Sequence, residues 1–303
     1  MQLDKRKELR ADLMLLLVAL CWGFSYLGIK VALKEIPTFT LNSYRFLGAF
    51  AVAVVLSFNR VKKINKITLL YSSIIGITLS MVYTGATIGV QYTTLSNCAF
   101  LCATTVFFTP LIEFIIYRKN PEKKLLIAVA ICFIGIMLMT LKSDFSFNLA
   151  HLKGDLFSLS TGISYAIQIV ITSKAVSDER VDPYITGVFS LGFCGLVMLM
   201  LSLSMETFAI PQSCEVLIWV VFLAIFCTGV AFVIQPIAQQ YTEPTHVGII
   251  FSLEPVFAGI VGFIFAGEMP TLKEFIGQVI VIISLFYMEI DFNELKKNRA
   301  KKT

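Results

Sequence analysis

Residues 244–266 read PTHVGIIFSLEPVFAGIVGFIFA. Glu254 is the single acid in these 23 residues and stands at their centre, and His246 near the start is the only other ionisable side chain. A helix needs about 20 mostly apolar residues to cross the hydrocarbon core of a bilayer, and this stretch has that length. Working outward from it, nine more such runs occur, at 11–31, 39–58, 67–90, 96–117, 124–142, 154–174, 183–204, 216–239 and 271–290. The longest connection between them is 11 residues, too short for a domain outside the membrane. Composition agrees: 57% of the 303 residues are hydrophobic, 15% are charged, and the mean hydropathy is +0.81. An average soluble domain has roughly 45–50% and 25%. A disordered chain, a secreted disulfide scaffold and a nucleic-acid binder are excluded. The expectation is an all-α polytopic membrane protein with ten transmembrane helices.

Lysine and arginine concentrate on the cytoplasmic side of a membrane protein. With the N-terminus inside, the cytoplasmic segments hold 19 of the 25 Lys and Arg: Lys5 to Arg10, Arg60 to Lys66, Arg118 to Lys124, Lys174 and Arg180, and Lys296 to Lys302. The other side holds Lys30, Lys34, Lys142, Lys153 and Lys273, and Arg45 lies within a span. This asymmetry predicts ten spans with both termini cytoplasmic, and it accounts for the net charge of +5. The N-terminus has the basic start and apolar run of a signal peptide without a small-x-small cleavage site, so we read it as an uncleaved first span. Seven cysteines, at 21, 98, 102, 132, 194, 214 and 227, lie mostly within spans with no metal-binding spacing, so they are read as small packing residues.

The chain also resembles itself. Leu9-Arg10-Ala11-Asp12-Leu13 matches Leu152-Lys153-Gly154-Asp155-Leu156, Trp22 falls on Tyr165, Leu47-Gly48 on Leu191-Gly192, and Pro110 on Pro255, at offsets of 143 to 145. Two repeats, 9–142 and 152–290, flanked by basic cytoplasmic tails at 1–8 and 291–303, each hold five spans. An odd number of spans forces the second repeat to run upside down. Inverted repeats are the architecture of alternating access around a site near the midplane.

Several stretches carry a family resemblance. Trp22-Gly23-Phe24-Ser25-Tyr26 with Lys30, Pro37 and Arg45-Phe46 is similar to the opening of EamA-type members of the drug/metabolite transporter superfamily. Gln91-Tyr92-Thr93-Thr94 with Asn97, Ala99, Phe100 and Pro110 resembles a later part of the same repeat. Gln240-Tyr241-Thr242, Leu253-Glu254-Pro255-Val256-Phe257 and Gly267-Glu268 resemble its counterpart in the second repeat. The resemblance implies ten helices, a central cavity between the repeats, and mostly export of small metabolites or toxic compounds. One departure is that the first repeat ends its fourth span with Tyr117-Arg118-Lys119, without the Gly-Glu of the second.

Ionisable residues inside a membrane are costly and mark function. Glu254 lies at mid-span and is followed by Pro255, which cannot donate to the carbonyl of Phe251 and crowds it. A kink with a free carbonyl beside a carboxyl is expected there. Such a carboxyl could trade a proton near neutral pH, and the alternative is a structural glutamic acid bonded to the kinked backbone. His246 is a candidate to relay protons, or an interfacial residue at the start of its span. Thr105, Thr109 and Glu113 form a stripe on the fourth span. Arg45 either draws anionic groups or packs against carbonyls at the outer end. Asp12 and Asp155 are read as capping the starts of their helices, and Lys30 as reaching to the headgroups.

Trp22 lies near the midplane, with Ser25 and Tyr26 on its face. Ser158, Thr161, Tyr165, Gln168 and Thr172 share one face of the sixth span at 100° per residue. Trp22, Tyr26, Tyr83, Thr105, Thr109, Ser158, Thr161, Tyr165, Gln168 and Glu254 are therefore assigned to a substrate cavity. Proton coupling is assigned to Glu254 and His246, and helix breaks to Pro110 and Pro255. Packing through hydroxyls is the alternative for the polar stripe.

The expected function is a secondary transporter in the cell membrane, exporting a small metabolite or xenobiotic in exchange for protons. No phosphate-binding loop, metal set or catalytic constellation appears in the sequence, so no cofactor, metal or enzymatic activity is expected. The alternatives are a non-transporting membrane receptor or scaffold and, after it, a membrane-embedded enzyme.

Overall fold

The computed structural model describes residues 2–92, 101–118, 122–140, 152–266 and 271–289. The side chains of Tyr26 and Lys30, the motif residues Thr93, Asn97, Cys98 and Phe100, His151, Gly267-Glu268 and the basic tail at 291–303 lie outside the described residues. The helices are α1 (Gln2–Ala32), α2 (Thr38–Leu56), α3 (Lys66–Tyr92), α4 (Thr105–Tyr117), α5 (Lys123–Thr140), α6 (Leu152–Val176), α7 (Pro183–Met205), α8 (Cys214–Phe222), α9 (Ala231–Ala238), α10 (Pro244–Phe251), α11 (Glu254–Ala266) and α12 (Leu272–Glu289). No strand occurs among the described residues.

Seven helical stretches are long and apolar enough to cross a membrane by length and composition, and two shorter apolar helices, Leu101–Tyr117 and Phe275–Ser284, fall in two further expected runs. The outer surface carries large apolar side chains that water would not tolerate in such numbers: Leu56 is 80% exposed, Ile218 67%, Leu203 65% and Ile264 63%. In hydrocarbon that exposure costs nothing, and the backbone is satisfied inside each helix.

Two apolar runs that the sequence presents as continuous are interrupted. The run over 216–239 is α8, then a π-helical stretch Leu223–Val230, then α9. The run over 244–266 breaks at Ser252–Leu253 into α10 and α11. Pro255 explains this break, because it occupies the first turn of α11, where a missing N–H is tolerated. The last turn of α10 tightens, with Ser252 N–H donating to Gly248 and Ile249 and Leu253 N–H to Ile250. Pro110, by contrast, sits inside an unbroken α4, and the irregularity comes earlier, at Thr104.

Chain starts and stops follow local chemistry. Asp182 accepts from the Ile185 N–H with Pro183 beside it, and Ser213 accepts from the Val216 N–H. The start of α2 has Pro37 at its cap and no local acceptor, so Glu206 from after α7 supplies one, accepting from the Phe39 and Thr40 N–H groups at 3.0 and 2.9 Å. Asp12 does not stand at the start of a helix: α1 begins ten residues before it, at Gln2.

The two halves interleave. α2 lies on α7, and α5 on α12. α3 packs on α6 and α7, while α1 and α2 pack on the α8–α9 rod. α4 meets α6, and α1 meets α10 and α11. Glycine allows the tightest of these contacts. A Cβ at Gly76 of α3 would stand 2.8 Å from the Ser190 carbonyl oxygen of α7, and one at Gly85 would stand 2.8 Å from that of Phe157 in α6.

Candidate functional site: a central cavity

Where α1 to α4 meet α6 and the broken α10–α11 rod, the bundle encloses a cavity of about 610 Å³. Its floor is aromatic. Trp22 is nearly buried, with ring centroids 4.8 Å from Phe251, 5.4 Å from Phe232 and 5.8 Å from Tyr165. Tyr165 stacks on Phe251 at 6.0 Å, and Tyr83 meets Phe46 edge-on at 4.7 Å. From this floor the lining climbs through Ile29 and Leu33 of the α1 segment, Thr38 and Leu41 of α2, Ala86 and Thr87 of α3, and Ala258 and Val261 of α11. All of these lie toward the end of the bundle opposite the N-terminus.

The polar groups on the wall are few and held from behind. Trp22 donates its indole N–H to the Cys227 carbonyl at 2.9 Å, inside the π-helical stretch. Arg45 is 1% exposed, and its Nε donates to Thr228 Oγ1 at 3.1 Å, in the same stretch. Its guanidinium lies 5.4 Å from the centroid of the Tyr83 ring, a cation–π contact. π-helical turns are frequent at functional sites, and this one seats two residues of the cavity wall. Asn42, one turn before Arg45, donates to Thr87 Oγ1 at 3.2 Å. Tyr165 has a buried hydroxyl with no hydrogen-bond partner among the described residues.

Of the residues assigned from sequence, Trp22, Tyr83, Thr105, Thr161, Tyr165 and Glu254 line this cavity. Glu254 opens α11 instead of lying in the middle of a helix, so the carboxyl sits at a helix N-terminus, where the peptide dipoles favour negative charge. Pro255 also lines the cavity. Three residues of the assignment lie elsewhere. Ser158 is buried and donates to the Gly154 carbonyl. Thr109 is buried and donates to the Thr105 carbonyl. Gln168 is buried against α9, accepting from Gln235 and donating to Thr172. Their hydroxyls and amides serve helix packing, because only part of each polar face lies at the depth of the void. Tyr26 falls among the side chains outside the described set.

His246 does not join Glu254. It lies on α10, on the other side of the break, with Nε2 3.3 Å from Asp12 Oδ1. It belongs to a second group of polar contacts, between the cavity floor and the N-terminal end. There Thr245 donates to Glu113 at 2.7 Å. Gln235 Nε2 donates to both Gln168 and Gln239, and Gln239 donates to the Ile169 carbonyl and Ser173 Oγ. The Gln235-x-x-x-Gln239 spacing marks one polar helix face in the sequence. The assignment from sequence omits this face and Phe232, Phe251 and Asn42 on the wall; Asn42 shares a face with Arg45 at three residues' spacing. Among the described residues no cluster of His, Cys, Asp and Glu could hold a metal ion.

Comparison with known proteins agrees with the architecture. The EamA-like transporter family model matches residues 9–141 and 152–289. An uncharacterized transporter of Archaeoglobus fulgidus is 26% identical over 284 residues, covering 94% of this chain and 87% of the relative. A second from the same organism is 27% identical, covering 91% and 96%. The uncharacterized transporter YetK of Bacillus subtilis is 26% identical, covering 93% and 87%. A solved crystal structure superposes with a TM-score of 0.80 at 15% identity, covering 94% of this chain and 98% of that one, which is a likeness of fold. The chain is a multi-pass membrane protein and belongs to the EamA-like transporter family.

Proposed function

We propose that this protein is a secondary transporter that moves a small amphipathic metabolite or xenobiotic by alternating access, as an exporter driven by protons. The observation that carries the reading is the central cavity, lined toward one end of the bundle and backed at the other by a layer of buried and half-buried polar cross-contacts. The reading includes ten spans in two inverted repeats, 9–142 and 152–290, with both termini cytoplasmic. Two features support it: the family model matches each half separately, and the packing maps onto itself when the halves are exchanged, since α2 on α7 and α5 on α12 pair equivalents directly. With the basic segments inside, the cavity faces outward. A proton from the outer side then adds to the Glu254 carboxylate as substrate leaves, and is released to the inner side after the cavity reorients. His246 and Asp12 lie near that inner exit.

Proteoliposome flux tests this. Substrate efflux should follow an imposed pH gradient, and Glu254→Gln should lower gradient-driven flux at least tenfold while substrate-for-substrate exchange continues. Full gradient-driven flux in the variant would remove Glu254 from coupling. Absence of any flux across a broad metabolite panel would remove the transporter reading.

A further inference from the structure

Arg45 is a full positive charge in the membrane part of the bundle with almost no access to water. A buried charge needs a partner. Among the described residues its single hydrogen bond runs from Nε to the neutral Thr228 hydroxyl, and its one ring contact is with Tyr83. Arg45 lines the cavity, and among the described residues no hydrogen bond engages its two terminal nitrogens. The Nε bond to Thr228 fixes the plane of the guanidinium and leaves those two nitrogens as a fork. That fork matches a carboxylate end-on, through two parallel hydrogen bonds.

We propose that Arg45 is the anion-recognition site of the cavity and that the transported ligand is an amphipathic monocarboxylate, its carboxylate on Arg45 and its apolar body against the aromatic floor. The inference rests on the reading of this cavity as the substrate site. Three features narrow the class. Trp22, Phe232 and Phe251 offer ring faces and no charge, which suits an aromatic or branched apolar body. Glu254 shares the wall, and Tyr83 stands within electrostatic reach of both it and Arg45. A second negative charge on the ligand would therefore meet repulsion. Desolvation also rises with the square of the charge, so a phosphate dianion is disfavoured relative to a carboxylate. Finally, the unpartnered Tyr165 hydroxyl is a further hydrogen-bonding group for a ligand in the same space.

Three probes of nearly one shape separate charge from shape: 3-phenylpropanoate, 3-phenylpropanol and 3-phenylpropylamine. Binding to the full chain in nanodiscs at pH 7.5 is read from Trp22 fluorescence in a Trp219→Phe background, with a chain lacking both tryptophans as the blank for partitioning into lipid. The carboxylate should bind at least tenfold more tightly than the alcohol. Arg45→Gln should bring that ratio close to one with the alcohol's affinity unchanged within threefold, and Arg45→Lys should restore part of it. The wild-type ratio decides the matter alone where a variant does not fold. A ratio below threefold, or the amine as the tightest probe, overturns the inference and leaves the cavity reading standing. A ratio unchanged in folded Arg45→Gln also overturns it. Absence of binding by all three probes overturns the cavity reading and this inference with it.

Discussion

The two ends of the bundle are cross-linked in different ways. At the N-terminal end the contacts join side chain to side chain across the bundle: Asp12 of α1 with His246 of α10, Glu113 of α4 with Thr245 of α10, and Gln168 of α6 with Gln235 of α9. At the opposite end acids grip backbone. Glu206 accepts from the first N–H groups of α2, and Glu35 accepts from the Gln212 and Ser213 N–H groups before α8. The Ser213 hydroxyl, with the Gln212 and Ser213 N–H groups after it, holds the Glu35 carboxyl below its ordinary range. Both acid-to-backbone ties lie on one side of the cavity mouth, between the α1–α2 corner and the α7–α8 connection. On the alternating-access reading proposed above, the first set would have to break for the cavity to open toward the N-terminal end, whereas the second spans only the α1–α2 corner and the α7–α8 connection and could stay intact.

The largest effect is expected at the amide ladder. Gln235→Leu removes the donor shared by Gln168 and Gln239 and leaves two buried acceptors without it. Each orphaned acceptor costs about 1–3 kcal/mol. If the cost of even one of the two falls only on the state closed at the N-terminal end, the balance shifts by about 5- to 150-fold. A cysteine at Ala86, on the cavity wall, should then label faster with an impermeant maleimide applied from the N-terminal side. Lower thermal stability with unchanged sidedness of labelling would make the ladder ordinary packing.

Thr245→Val should have a similar but smaller effect. It removes the hydroxyl donor to a carboxylate that is only half-buried, and hydrogen bonds to charged groups are worth about 1.5–3 kcal/mol, with the low end apt here. The same labelling assay reads it. Substitution at the opposite end should behave differently. Glu206→Gln weakens the cap on α2, worth about 0.5–2 kcal/mol for a cap removed outright and less for an amide that can still accept. It should lower the melting temperature by a few degrees without moving the labelling toward the N-terminal side. Equal shifts in both variants would erase the distinction between the ends.

What could be read in advance divides along the same line. The apolar runs, their basic flanks and the pairing of Pro255 with a break are local, set by a few neighbouring residues, and they are visible in the chain. Periodicity also found the polar face of α6. It could not tell that Thr161 and Tyr165 reach the void while Ser158 and Gln168 fall above and below it, because a face repeats along a helix and a cavity occupies one depth of it. The π-helical stretch has no proline to announce it: Leu223 to Val230 reads as a good apolar helix. What accompanies it is Trp22 on the Cys227 carbonyl and Arg45 on Thr228, contacts between residues some 200 positions apart. Asp12 looked like a cap because its partner, His246, lies at the other end of the sequence.

The smallest expected effect tests whether surface charge belongs to the seal at all. Arg60 holds Asp182 through two hydrogen bonds of 3.0 Å, and its guanidinium also covers the Tyr184 ring at 4.6 Å. Asp182 has a second task as the cap of α7, so changing Arg60 removes the ion pair and the ring contact and spares the cap. Arg60 is exposed and Asp182 half-buried, 54% and 31%. An exposed pair is worth about 0–1 kcal/mol and is screened by salt. Arg60→Gln should therefore lower the melting temperature by no more than a degree or two at low ionic strength. The difference should vanish in about 0.5 M salt, where charges are screened within a few ångströms, and labelling at Ala86 should not move. A change in sidedness from this variant would mean that the loops at the N-terminal end, as well as the buried amides beneath them, hold that end closed.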